Sequence, residues 1–183
     1  MTTLVARSSH DTPITLIGVF GFAAAVAAAS QIAIPLPFTP VPITLQPMLV
    51  ILAGMMLGPI AGAASMLLYL AAGASGLPVF TPVGAPGMAR LFGPTGGYLI
   101  AYPAAAFVAG AIVTRFSSLL GRSVAGLAGI TVIYLGGVTQ LAVLGGGFEQ
   151  AIKLGVLPFA LFDVVKAFLA ALISRPRAAR PPR

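Results

Sequence analysis

The stretch from Ile14 to Ile34, ITLIGVFGFAAAVAAASQIAI, runs without a charge behind a polar tail and Pro13. As an α-helix it is about 30 Å long, enough to cross the hydrocarbon core of a bilayer. Ala27-Ala28-Ala29-Ser30 supplies small residues of the kind found at signal-peptide cleavage sites. The run nonetheless exceeds the roughly 7–15 apolar residues of a secretory signal, and further apolar runs follow it. Residues 14–34 therefore read as a retained first span.

Working outward, the rest of the chain repeats this character. Of 183 residues 58% are hydrophobic and 7% charged, where a soluble domain carries about a quarter charged residues, and the mean hydropathy is +1.05. Ten basic and three acidic side chains cannot coat a water-facing surface. The length accommodates about six spans with short connections and no separate soluble domain. The expected fold is all-α: a polytopic protein whose six transmembrane helices fill residues 13–174, between a polar cytoplasmic tail (1–12) and a basic cytoplasmic tail (175–183).

Pro35, Pro37, Pro40 and Pro42 end the first helix, because proline lacks the N–H and clashes with the preceding turn. They predict a rigid, extended connector. The apolar run 43–73 would be about 46 Å long as one helix, and Gly58-Pro59 splits it into a hairpin of short helices, 43–57 and 60–73. Gly54, Gly58 and Gly62 fit that hairpin geometry. Residues 74–95, rich in proline and glycine with Arg90 as their one charge, form a structured loop. Three longer helices follow, at about 96–116, 123–144 and 151–174, the last two separated by Gly145-Gly146-Gly147. Six crossings put Arg7, Arg115, Arg122, Arg175, Arg177, Arg180 and Arg183 on one side, which the positive-inside rule makes cytoplasmic. The isoelectric point near 10.9 thus reflects loop and tail charge rather than a nucleic-acid recognition face. Without cysteine there is no disulfide or thiolate chemistry, and His10, the lone histidine, lies in the N-terminal tail.

Asp163 and Lys166 stand well inside the last span, where ionisable groups are costly and functional by default. Three residues apart, they share a helix face, each offsetting the other while remaining able to bond a ligand. A carboxylate accepts and an ammonium donates, a combination suited to a compact cyclic urea, amide or pyrimidine. A purely structural ion pair is the plain alternative. Pro158, a turn earlier, is placed to bend the helix. Arg90 at a pocket mouth suits a bidentate bond to a substrate carboxylate, or simply reaches interfacial water. In Gly93-Pro94-Thr95-Gly96-Gly97-Tyr98, glycines permit close backbone approach where a helix starts, but the order of a P-loop is absent. Thr44 and Gln46 offer uncharged donors and acceptors beside the connector. Gln140 reads as an interhelical bond, and Glu149 with Lys153 as a surface pair. In the first helix, Ala23, Ala24, Ala27 and Ala28 repeat at four-residue spacing, a smooth stripe for packing within the fold or for docking another membrane protein.

Taken together and in order, Pro40-Val41-Pro42-Ile43-Thr44-Leu45-Gln46, Gly76-Leu77-Pro78-Val79-Phe80, Gly93 to Tyr98, and Pro158-Phe159 with Asp163 and Lys166 resemble the BioY family, the biotin-binding subunits of energy-coupling-factor transporters. The resemblance covers nearly the whole hydrophobic chain. It implies an S-component-like bundle of six helices that is not an enzyme, captures biotin from outside and needs no cofactor or metal. It implies that Asp163 and Lys166 contact the biotin head group, that Thr44, Gln46, Phe80, Gly96, Gly97 and Tyr98 lie in the substrate site, and that the alanine stripe meets a transmembrane coupling subunit. Two cytoplasmic ATPases would supply energy, which agrees with the lack of a nucleotide motif here. The implied location is a bacterial inner membrane. Arg90 as partner of the valerate carboxylate is a reading of its chemistry. A solitary biotin permease and an S component for thiamine or riboflavin are the rival readings. An intramembrane hydrolase has against it that the sole histidine lies in a polar tail.

Overall fold

The computed structural model describes residues 11–174; Arg7, His10 and the four arginines of the C-terminal tail lie outside the described residues. In chain order the elements are α1 (Asp11–Gln31), β1 (Ile34–Leu36), β2 (Thr39–Ile43), α2 (Gln46–Leu57), α3 (Pro59–Ala74), α4 (Ala89–Phe92), α5 (Gly96–Arg115), α6 (Leu119–Leu144), α7 (Gly147–Gly155) and α8 (Ala160–Ile173). Helices α1, α5 and α6 are long and apolar enough to span a membrane, α7 and α8 form a fourth segment bent by 57°, and α2 and α3 are shorter apolar helices. Six membrane segments result. Gly58, at φ 89°, turns the chain between α2 and α3, and Pro59 opens α3 at a position where its missing N–H is not needed.

Four local features differ from the sequence expectation. The proline-rich connector is an antiparallel hairpin, with Ile34 opposite Ile43 and Leu36 opposite Thr39, so the fold is helical apart from this ribbon. Proline is tolerated on edge strands, and in a two-stranded ribbon both strands are edges. The loop after α3 contains one helical turn, α4. Helix α6 starts four residues before Ser123 because Ser118 caps it, accepting the Gly121 N–H at 3.1 Å. Arg122 consequently lies in the first turn of α6, buried, and its guanidinium donates to the Ser174 carbonyl at the end of α8. Finally, the bend expected at Pro158 goes further than a bend: the segment expected as one helix over 151–174 is two, broken at residues 156–159. The Leu157 N–H reaches back to the Ile152 carbonyl at 3.2 Å, and Pro158 has no N–H to give to Leu154.

Helix α5 is central, packed on α2, α3 and most extensively α6. More than half of its buried residues are alanine or glycine, with Ala105, Ala106 and Ala109 fully enclosed. Lipid offers apolar side chains as good an environment as protein does, so helices associate through close packing of small residues. Large apolar side chains point outward instead: Ile17 and Phe20 on α1, Leu135 and Val143 on α6, Leu161 and Phe162 on α8.

The hairpin, the loop after α3 and α7 share one end of the bundle. Ser30 donates to the Val79 carbonyl at 2.6 Å, Gln31 to that of Phe80 at 3.1 Å, and Thr39 to that of Leu154 at 2.7 Å. The last bond uses the carbonyl that Pro158 leaves without a helical partner. At the opposite end lie the α2–α3 turn, Ser118 and Ser174.

Candidate substrate-binding site

A cavity opens at the hairpin end, between β2, the start of α2, the start of α5, α6, the α7–α8 break and the start of α8. It encloses about 620 Å³ of space when the open mouth is counted with it. Most of the lining is apolar, including Val41, Pro42, Ile43, Leu99, Ile133 and Phe159.

Its charged floor comes from α8. Because the chain breaks before Ala160, Asp163 stands in the first helical turn, where the macrodipole favours a carboxylate. Lys166 follows one turn later, and its Nζ donates to Asp163 Oδ1 at 2.8 Å. Tyr134, from α6, donates its hydroxyl to Oδ2 at 2.6 Å. The two charged residues are 4% and 8% exposed. A carboxylate has about four acceptor positions and an ammonium three donors. Both therefore retain bonding capacity directed at whatever fills the cavity.

Uncharged groups form another wall. Thr44 Oγ1 donates to Gln46 Oε1 and accepts the Gln46 N–H, both at 3.3 Å, while Gln46 Nε2 donates to the Tyr69 hydroxyl at 2.7 Å. Tyr69 in turn stacks on Tyr102 and meets Phe80 edge-on, at centroid distances of 6.3 and 5.4 Å. Tyr98 lines the cavity and donates its hydroxyl to the Gly155 carbonyl at 2.9 Å. A Cβ at Gly155 would collide with that hydroxyl, so the glycine lets the ring and the break come together.

The expected site residues thus divide. Asp163, Lys166, Thr44, Gln46 and Tyr98 line the cavity together. Phe80 lies behind it, supporting Tyr69. Gly96 and Gly97 also lie outside the lining: a Cβ on Gly96 would meet the Leu91 carbonyl, and one on Gly97 the Gly136 carbonyl, so both serve helix packing. Arg90 is 5% exposed, and its guanidinium donates to the carbonyls of Thr81, at 2.6 Å, and Val83. Burial lowers its pKa from the ordinary arginine value. It braces the loop from within and does not line the cavity. Gln140 bonds the Leu91 and Gly93 carbonyls at 2.9 and 2.6 Å, and Lys153 meets Glu149 at 2.6 Å on the surface. In α1, Ala23 is buried and Ala27 half-buried, while Ala24 and Ala28 are exposed. The polar lining side chains that were not among the expected site residues are Tyr134, Tyr102, Thr81 and Thr95. Tyr102 and Tyr134 lie inside apolar runs, which by itself places no demand on a tyrosine, so nothing in the sequence set them apart.

The whole of this architecture falls within residues 3–182, which match the family described as BioY. The chain belongs to the BioY family. It is 45% identical to a probable biotin transporter BioY of Pyrococcus horikoshii over 157 residues, covering 84% of this chain and 89% of that protein. A biotin transporter BioY of Rhizobium etli is 38% identical over 179 residues, covering 92% of each. Among solved structures, the S-component for biotin from an ECF-type ABC transporter superposes with a TM-score of 0.85 at 30% identity, over 93% of both chains. The BioY scaffold of this chain is therefore a multi-pass membrane protein.

Proposed function

We propose that this chain is the biotin-binding S component of an energy-coupling-factor transporter, and not an enzyme. The observation that carries the reading is the triad of Asp163, Lys166 and Tyr134 at the base of an otherwise apolar cavity. A ureido ring presents a carbonyl and two N–H groups. Lys166 donates to that carbonyl and Asp163 accepts from an N–H, while Tyr134 fixes the carboxylate's second oxygen. The apolar walls take the sulfur-containing ring and the alkyl chain. Relatives that carry the biotin transporter name, and a biotin S-component of the same fold, support this substrate.

Energy comes from outside the chain, through a transmembrane coupling subunit and two cytoplasmic ATPases. Ala24 and Ala28, exposed on α1 beside Gly21, give a smooth stripe on which a membrane partner can pack closely. The protein sits in a bacterial inner membrane with both termini cytoplasmic and the cavity facing outward. Purified protein binds labelled biotin, and thiamine or riboflavin in large excess leaves it bound; displacement by either would reassign the substrate. Labelled biotin enters cells only when the coupling subunits are co-expressed, and uptake without them would instead make the chain a solitary permease. Ala28→Trp abolishes assembly with the coupling subunit and leaves biotin binding intact.

A further inference from the structure

Arg115 and Arg122 mark the end of the bundle opposite the cavity, where acidic groups are scarce. The chain's acidic side chains are Asp11, Glu149 and Asp163. Glu149 is bonded to Lys153 and Asp163 to Lys166, which leaves Asp11, at the start of α1, to set against Arg115, Arg122 and the sequence beyond Ser174. Arg115 closes α5 and is exposed, and among the described residues it makes no ion pair. Arg122, in the first turn of α6, is buried, and its guanidinium donates to the Ser174 carbonyl. The last described residue is thereby fixed beside the α5–α6 turn, and the sequence that follows it contains Arg175, Arg177, Arg180 and Arg183 and no carboxylate.

Large apolar side chains ring the same end. Phe116, Leu119, Leu120, Leu172 and Ile173 are all exposed, and on membrane helices such side chains face lipid. An arginine beside them rests its stem on the apolar surface and carries its guanidinium to the headgroup level. There the planar fork matches two phosphate oxygens. A basic residue next to the end of a membrane helix strengthens attraction to an anionic lipid surface by about fivefold.

We infer that this end of the molecule binds the phosphate headgroups of anionic phospholipid. Arg115 and the arginines after Ser174 supply the guanidinium groups, and Arg122 is the positioning residue that holds the start of the basic tail beside Arg115. The apolar ring favours a lipid over a soluble anion, because acyl chains cover Phe116 and Leu120 while the headgroup meets Arg115.

The chain contains no tryptophan, so Phe116→Trp places a single fluorescent reporter next to Arg115. This full-length variant is reconstituted into phosphatidylcholine vesicles with rising fractions of brominated phosphatidylglycerol or, in a parallel series, brominated phosphatidylcholine, and quenching gives the relative affinity for the two headgroups. At low salt phosphatidylglycerol is preferred by at least about tenfold. Adding Arg115→Gln lowers the preference by about threefold to fivefold, removing residues 175–183 lowers it by at least about threefold, and both changes together bring it within about twofold of unity. Each protein is first shown to be monodisperse. Molar salt weakens the preference, as screening of exposed charge requires. Inorganic phosphate at matched ionic strength leaves it intact; its loss there would make the site one for free phosphate and overturn the lipid assignment. A preference below about twofold before Arg115 or the tail is altered overturns the inference, and so does one that survives the double change. If that preference is absent while removal of residues 175–183 blocks assembly with the cytoplasmic ATPases, the basic end serves a protein surface instead.

Discussion

At the scale of single residues, Asp163 and Lys166 depend on each other before any ligand arrives. Both are nearly enclosed, and removing one partner of a buried pair costs about 3–5 kcal/mol because the other charge is left uncompensated. Asp163→Ala therefore lowers the thermal midpoint of the detergent-solubilised protein markedly. The double variant Asp163→Ala/Lys166→Met recovers most of that stability yet binds no ligand, separating structural from recognition roles. These two residues were legible in the sequence because charges inside an apolar run admit few explanations. Tyr134 was not, since a tyrosine in a span carries no such demand and only the fold brings it within 2.6 Å of Asp163. Arg90 was legible as unusual, but a lone charge in a glycine-rich loop gives no sign of the carbonyls that turn toward it.

Elements are governed here by where proline and glycine act. Pro158 withholds an N–H, the last segment breaks, and the two carbonyls left over, of Leu154 and Gly155, are taken by Thr39 and Tyr98. One backbone defect thus ties the hairpin, α5 and α7 together around the cavity and sets Asp163 in the first turn of α8. The bend was readable from Pro158, whereas its depth was not, because the bonds that stabilise it come from residues 57 and 115 positions away. Close approach of α5 and α6 depends on Gly97 and Gly136, whose added Cβ atoms would each strike the other's carbonyl. Gly97→Ala forces these helices apart at a cost of about 1–3 kcal/mol, seen as a lower melting temperature. Gly21→Ala, where a Cβ meets nothing within 4 Å, is the contrasting case and raises stability by about 0.5–1 kcal/mol through helix propensity.

The whole molecule was the most legible scale. Scarcity of charge and the lengths of the apolar runs set the number of membrane segments, and the fold keeps that number even though α2 and α3 are short. The orientation argument changes in detail. Arg122 is tucked against the end of α8 rather than exposed in a loop, so among the described residues Arg115 is the exposed basic residue left at the end opposite the cavity. The chain contains no cysteine, which makes sidedness directly measurable in intact cells. Pro82→Cys, exposed at the cavity end, reacts with an impermeant maleimide from outside, and Ser117→Cys, exposed at the other end, reacts only after permeabilisation. The reverse pattern would place the cavity toward the cytoplasm and exclude capture from outside.

All three scales meet in one requirement, that the ion pair on α8 holds the ligand's ring. Equilibrium titration of labelled biotin against the unmodified protein, Asp163→Asn and Lys166→Ala, with each variant first shown to be folded, measures this directly. Saturable binding to the unmodified chain and a loss of at least about a hundredfold in both variants, roughly 2.7 kcal/mol, is the predicted result; undiminished binding in both would contradict it.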